Sequence, residues 1–338
     1  MNRSVYGCLL GALILFLFVS LGLNAVQFMA LVGEQFAGMP QPKEKLTEKI
    51  EVQGKANVPD KIVHLDLEGI ISSMSTGGFL ESALPSVEGI KRGLEQAVAD
   101  SEVKAIVLRI NSPGGEVTAS DIIYAAVKKA AAQKPVIVYM DSVAASGGYY
   151  VACGATKVIA SETTLTASIG VIMESMNYHE LFGKVGLGSQ TFTSGAFKDT
   201  LSGARPMRDD EKVYIQGLVD TMYDRFLGIV SEARKVPKDV LKSTVADGRV
   251  VTGRQALEAK LVDQIGYIED AYALAKELAD SPDAAVVKYQ SVPNLLSILG
   301  VASAKAQAPA KVELDLTGGA LPKLQPGMMY YLPGAYLR

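Results

Sequence analysis

Apolar and polar positions along the chain fall into three regimes. From Val5 to Gly33 no charged residue occurs, and Cys8 to Leu23 is almost entirely Leu, Ile, Val, Phe, Ala and Gly. A helix rising about 1.5 Å per residue needs about 20 such residues to cross a hydrocarbon core about 30 Å thick. The run is long enough, and it exceeds the roughly 7 to 15 residues of a cleavable signal's apolar region, so residues 1–33 are expected to be a retained transmembrane signal anchor. Arg3 precedes the run, while Glu34 and a mixed-charge stretch follow it. That asymmetry leaves the N-terminus cytoplasmic and puts everything after the span on the outer side of the membrane. Residues 34–59 are polar, proline-bearing and weakly patterned, and read as a tether.

In the second regime, residues 60–290, short apolar runs alternate with helical periodicity. KIVHLDLEG reads as a strand, and Val87 to Ala99 as a helix with apolar residues at Val87, Ile90, Leu94 and Val98. Ala105 to Ile110 is a buried strand, NSPGG its loop, Ala119 to Ala132 a helix and Val136 to Met140 the next strand. The alternation predicts βαβ units and parallel pairing. A small-residue helix is expected from about Gly147, a strand over Lys157 to Ala160, and a longer helix from Asp209 to Val230. The third regime, residues 291–338, holds an Ala-rich linker (SAKAQAPA) and an apolar, aromatic tail ending MMYYLPGAYLR, without helical period. The tail is expected to pack against a neighbouring subunit or near a substrate groove.

Composition narrows the chemistry. With 338 residues, 49% hydrophobic and 20% charged, the chain can build a sizeable core. Its formal net charge of -3 supplies no field for phosphate backbones, so nucleic acid is not an expected partner. The two cysteines, Cys8 and Cys153, cannot form a disulfide framework or a four-ligand zinc site, and no metal or other cofactor is expected. The two histidines, His64 and His179, have no motif context and are read as satisfied or surface residues.

Three segments hold candidate chemistry. In Asn111-Ser112-Pro113-Gly114-Gly115 a proline and two glycines let the backbone turn sharply and free N–H groups to face a ligand atom, as an oxyanion hole requires; an ordinary strand-to-helix turn has the same composition. In DSVAASGGYY, Ser146 stands at the approach to a helix. It is either a nucleophile facing the positive end of the helix dipole, with the Gly147 N–H joining Gly114 or Gly115, or a plain helix cap. A nucleophilic serine needs a base, and a lysine serves where burial disfavours its charged form. The candidate is Lys198, in TSGAFKD; its alternative is a solvated surface charge. Asp141, Asp199 and Arg205 are read as local ion pairs and caps, Tyr149 and Tyr150 as packing, and GRVVTG as a structural turn and strand.

Taken in order, NSPGG, DSVAASGGYYVACGA, TLTASIGVIM, SGAFKDTLSGARPM and VADGRVVTGRQALEAKLVDQIG resemble the signal peptide peptidase A family of bacterial Ser/Lys peptidases, from about Val63 to Ala273. The resemblance implies the spiral α/β fold of repeated ββα units shared with Clp protease subunits and crotonases, preceded here by the transmembrane helix. It implies Ser146 as nucleophile, Lys198 as general base, Ser168 as the hydroxyl that orients the lysine, and Gly114, Gly115 and Gly147 as oxyanion donors. It further implies a short, single-domain member that assembles as a ring-shaped homo-oligomer, with Lys198 able to reach a neighbouring subunit. The implied substrates are signal peptides and other apolar or unfolded peptides at the outer face of the bacterial cytoplasmic membrane. Other readings remain: a peptidase dedicated to one membrane protein, a crotonase-like acyl-CoA enzyme, and a non-catalytic membrane scaffold.

Overall fold

The apolar runs of the second regime line up side by side in a mixed α/β fold. A computed structural model describes residues 45–73, 87–290 and 329–331, with scattered positions between 16 and 28. Most of the expected anchor, residues 1–33, lies outside the described residues, as does 291–328. Among the described residues no helix is long and apolar enough to cross a membrane.

The strands are β1 (Thr47–Val52), β2 (Lys61–Glu68), β3 (Val103–Ser112), β4 (Gly115–Glu116), β5 (Val136–Ala145), β6 (Lys157–Ala160), β7 (Leu165–Ala167), β8 (Ile172–Met173), β9 (Val250–Thr252), β10 (Gln264–Ile265), β11 (Ala285–Gln290) and β12 (Met329–Tyr331). The helices are α1 (Val87–Ala99), α2 (Val117–Ala131), α3 (Gly147–Ala152), α4 (His179–Lys184), α5 (Asp209–Arg234), α6 (Lys238–Thr244), α7 (Gly253–Glu258) and α8 (Ile268–Leu278). The main sheet runs β1-β11-β2-β3-β5-β6-β10, with β7 branching from β5 and β9 from β7. From β11 to β10 every pairing is parallel, while β1 closes one edge antiparallel to β11.

Parallel strands covered on both faces should be apolar at successive positions, and β3 and β5 are: Ala105, Ile106, Val107 and Leu108 are buried, as are Val136 to Met140. On one face Ile62, Val107, Ile137 and Ile159 meet Ala271 and Ala275 of α8. The small α8 side chains let that helix approach the sheet closely. Helix α1 turns Ile90, Gly93, Leu94 and Ala97 inward, the spacing of one helical face.

The sequence expectations for α1 and β6 match the observed ends; β3, β5 and α5 run longer than expected, α2 starts two residues earlier and ends one earlier, and β2 stops one residue short of Gly69. One difference concerns the tether. Residues 47–52, inside the 34–59 segment, form a strand because TEKIEV can pair its backbone with β11 while keeping its side chains in solvent. Its charges suit a sheet edge, where they discourage pairing with other chains. His64, satisfied as expected, is buried between Glu51 Oε2 of β1 (2.7 Å) and Asp66 Oδ1 (3.0 Å), clasping the edge strand to the sheet.

Strand β5 serves two partners in turn. Ile137 to Met140 pair with β6, and Val143 to Ala145 pair with β7. Where the partners change, Thr164 Oγ1 lies 3.0 Å from the Met140 carbonyl and 2.6 Å from that of Asp141, satisfying oxygens the sheet no longer uses. Truncating the fully buried Ile137 of this strand to Ala should cost about 2–5 kcal/mol, read as a lower urea midpoint with an unchanged slope.

Candidate active site

The site forms where β3, β5 and β7 end together. After Ser112 pairs with Ala144, the chain turns through Pro113 and Gly114 into β4. Ala145 pairs with Ala167, and the Ser146 N–H donates to the Ala167 carbonyl at 2.7 Å. Ser146 then opens α3 with φ 52° and ψ −112°. Of the eight non-glycine residues with positive φ among the described residues, three, Ser146, Ala167 and Ser168, meet at this point. Such conformations cost roughly 1–3 kcal/mol each and persist where function requires them.

Helix capping does not explain Ser146. Its side chain makes no capping hydrogen bond, and its Oγ is buried without a hydrogen-bond partner; the residue is 1% exposed. Among the described residues nothing accepts or donates to this hydroxyl, and an unpaired buried hydroxyl costs about 1–3 kcal/mol. The neighbouring α3 fixes the position from below: Tyr149 is buried with its hydroxyl on the Leu261 carbonyl (2.9 Å), and Tyr150 with its hydroxyl on Asp121 (2.7 Å). Both tyrosines pack, as expected.

The glycines expected as oxyanion donors come together. Gly114 has φ 109°, open to glycine, and a Cβ there would lie 2.6 Å from the Gly147 nitrogen. A Cβ on Gly147 would lie 3.1 Å from the Gly115 nitrogen and 2.5 Å from Ser120 Oγ. Gly115 is pressed against Ile71, which brackets it with two backbone hydrogen bonds: Ile71 N–H to the Gly114 carbonyl and Glu116 N–H to the Ile71 carbonyl. The turn is thus fixed from both sides. Glu116, buried one residue on, accepts from the hydroxyls of Ser72 and Ser73 and from the Ser73 N–H; although burial alone would raise its carboxyl, those bonds hold it below the usual range.

Ser168 is 3% exposed and lines a cavity of about 330 Å³ with Gly170, Ile172, Asp220, Tyr223 and Asp247. Lys198 is elsewhere. It is exposed, and no hydrogen bond joins it to Ser146 or Ser168. Among the described residues nothing buries it, so the burial expected of a lysine base is not seen. Its loop is nevertheless firmly built. Arg205 forks onto Asp199 (2.7 and 2.8 Å) and onto Glu211 (2.6 and 2.8 Å), and Arg208 reaches the Ala196 carbonyl (2.8 Å) and lies over the Phe197 ring. Asp199 and Arg205 are ion-paired as expected, and Asp141 pairs likewise with Arg109 (2.9 Å). His179 is exposed, its Nδ1 2.9 Å from the Ala204 carbonyl, and belongs to the same loop scaffold. No group of His, Cys, Asp and Glu among the described residues could hold a metal ion. Burial pushes the Cys153 thiol up to about 12, so it stays protonated and inert.

Sequence reasoning missed one contributor and left the place of another open between a neighbouring subunit and the groove. Glu116 was one carboxylate among many, and only the serines that close on it reveal its part. The tail strand β12 carried an aromatic signal without an address: it lies antiparallel between β4 and β8, pairing Tyr331 with Gly115, Tyr330 with both Glu116 and Ile172, and Met329 with Met173.

Residues 128–281 match the family described as Peptidase family S49. A protein of Enterococcus faecium named for signal peptide peptidase SppA is 36% identical over 250 residues, 73% of this chain and 71% of the relative. A protease of Synechocystis sp. is 36% identical over 225 residues, 67% of this chain and 76% of the relative. Protease 4 of Salmonella typhi is 37% identical over 208 residues, 61% of this chain but 33% of that longer protein. A mixed α/β fold and these relatives define a serine-type peptidase. The chain belongs to peptidase family S49, the family of signal peptide peptidase SppA and protease 4.

The ionic mount of the Lys198 loop sets a pH limit. The hydrogen bond from Arg205 leads in holding the Glu211 carboxyl at about 2 against an ordinary 4.5. A depressed carboxyl contributes fully above its unfolded value and loses that contribution as pH falls through its folded one. Amide exchange across residues 196–205, corrected for intrinsic rates, should therefore be constant from pH 7 to 5 and accelerate between about 4.5 and 2. Replacing Arg205 with Gln should bring the acceleration to pH 7.

Proposed function

We propose that the protein is a membrane-anchored endopeptidase in which Ser146 attacks a peptide carbonyl and Lys198 acts as its general base. The observation that carries this reading is the buried, unpartnered Ser146 hydroxyl, strained at the start of α3 beside Gly147 and Gly114. Lys198 takes the hydroxyl proton as the serine oxygen bonds to the carbonyl carbon. The N–H groups of Gly147 and Gly115 stabilise the resulting oxyanion, the Gly114 N–H being donated to Ser112 Oγ at 3.1 Å. Collapse expels the leaving amine with the proton from the lysine, and water hydrolyses the acyl-enzyme by the same proton route in reverse. Ser168 orients the amine that arrives at its cavity.

A lysine exposed in its own chain suits a base delivered to a neighbouring subunit of a ring. Supporting this, the segment around it displays apolar side chains that a monomer has no reason to expose: Met176, Leu181, Val185, Leu187, Phe197 and Phe192, the last 94% exposed. Docking there would bury both the lysine and these side chains. The spiral arrangement of ββα units, as in Clp protease subunits and crotonases, fits the branching of β7 from β5.

The apolar run ahead of residue 34 supports anchoring, with the site on the outer side of the cytoplasmic membrane. Signal peptides left after preprotein processing, together with other apolar or unfolded peptides, are the substrates that suit such a site.

Ser146→Ala and Lys198→Ala should each lower hydrolysis of an apolar reporter peptide by about 10³-fold or more in detergent. Mixing the two variants should restore part of the activity, because some sites would then combine an intact serine with an intact lysine. Full activity in both single variants would end the assignment, and absence of recovery on mixing would confine the pair to one chain. A serine-directed phosphonate should label Ser146; a scaffold would not react, and a crotonase-like enzyme would turn over CoA thioesters.

A further inference from the structure

The peptide between Gly114 and Gly115 is held by its carbonyl. Ile71 donates its N–H to the Gly114 carbonyl at 2.9 Å and accepts the Glu116 N–H on its own carbonyl at 2.8 Å, so its backbone brackets Gly115. A trans peptide is planar, with its C=O and N–H pointing in opposite directions. Fixing the Gly114 carbonyl on Ile71 therefore turns the Gly115 N–H away from Ile71. The nitrogen so aimed is the one that Gly147 approaches: a Cβ on Gly147 would lie 3.1 Å from it. Left to itself this peptide has little to stop it turning over, because glycines flank it on both sides and Gly114 already sits at φ 109°. A turned peptide would present a carbonyl oxygen where the oxyanion needs a donor.

What keeps Ile71 in place is the carboxylate one residue beyond the turn. Glu116 is 3% exposed, and its carboxylate is met by Ser72 Oγ at 2.5 Å, Ser73 Oγ at 2.6 Å and the Ser73 N–H at 3.1 Å. All three donors belong to the two residues that follow Ile71. The Glu116 carbonyl accepts from Ser120 Oγ at 2.8 Å, and a Cβ on Gly147 would lie 2.5 Å from that same hydroxyl. One residue thus ties the strap 71–73 to the neighbourhood of both glycines. A carboxylate buried against neutral donors costs more than an apolar side chain of its size, and here it secures a geometry that an apolar side chain could not.

We propose that Glu116 is a positioning residue for peptide hydrolysis: by gripping Ser72 and Ser73, its carboxylate clamps Ile71 onto the Gly114 carbonyl and keeps the Gly115 N–H aimed at the oxyanion. This rests on the reading of Ser146 as the nucleophile.

The test uses the full chain in detergent with an apolar reporter peptide and a peptide aldehyde of the same sequence. Ser146 adds across the aldehyde C=O, and the former carbonyl oxygen then lies where the oxyanion forms. Replacing Ser72 and Ser73 together with Ala trims one half-buried and one exposed side chain, so the fold should survive. This change should lower kcat about 10- to 100-fold with KM held within about twofold, short of the 10²–10³ that removing a donor outright costs. Glu116→Ala should do the same, and Glu116→Gln, whose oxygen still accepts the Ser73 N–H, should recover most of the loss. All three alanines together should lose no more than Glu116→Ala alone, because they cut one link. In every variant the aldehyde should weaken by the factor seen in kcat/KM, while the uncut peptide keeps its affinity for Ser146→Ala chains carrying the same changes. Undiminished kcat in Ser72→Ala with Ser73→Ala, additive losses, or equal weakening of peptide and aldehyde would overturn the proposal. The two readings fail separately: an aldehyde that inhibits without an adduct at Ser146 removes the nucleophile, whereas a Ser146 adduct indifferent to Glu116 removes only the clamp.

Discussion

Everything at the active end of this molecule depends on how closely three stretches of backbone approach one another. The ends of β3, β5 and β7 are brought level by pairing, and the space between the turns that follow is too small for a Cβ at Gly114 or Gly147. Because those two residues carry no side chain, their backbones come into direct contact beside Ser146, with the Gly114 N–H donated to Ser112 Oγ at 3.1 Å. Because β5 abandons β6 for β7 partway along its length, Ser146, the residue after the strand, stands beside Ala167 and Ser168 at the end of β7. The strain at Ser146, Ala167 and Ser168 is the local cost of this convergence, and the buried core of parallel strands behind it is what sustains it.

Much of this was legible before any coordinates. Hydrophobic runs of β-branched residues located β2, β3, β5 and β6, because strands buried on both faces admit little else. The glycines were singled out because a sharp turn favours them, whereas Ser146 read equally as a helix cap until the ordered motifs around it resembled a Ser/Lys peptidase. What escaped detection has no local signature. Thr47–Val52 is a strand only because β11 offers an edge, so its polar sequence resembled a tether. The switch of β5 from one partner to another depends on β7 and Thr164, twenty residues downstream and more. The aromatic tail announced that something would be buried, and the address lay in Tyr150 and Phe226, far off in sequence.

Lys198 stands exposed on a loop that is itself firmly held. Its loop is braced by two arginines and two carboxylates, more support than a solvated side chain needs, yet the amine points to no partner of its own. A rigid mount for an exposed group resembles a connector rather than a socket. The apolar side chains displayed on the same segment, Phe192 above all, extend that view from one residue to a surface.

The edge strand gives the fold a mechanical character. The chain ahead of residue 46 enters through β1, and in the strand order β1-β11-β2-β3-β5 four spacings separate it from the strand bearing the nucleophile, roughly 19 Å at the usual separation of about 4.8 Å. A load arriving along that chain falls first on the pairing of Thr47 with Gln290 and Glu48 with Tyr289. Only after those give way does it meet the His64 clasp on Glu51. A border strand peeled away there would leave the pairing of β3, β5 and β7, and with it the alignment of Ser146 with its glycines, unstretched.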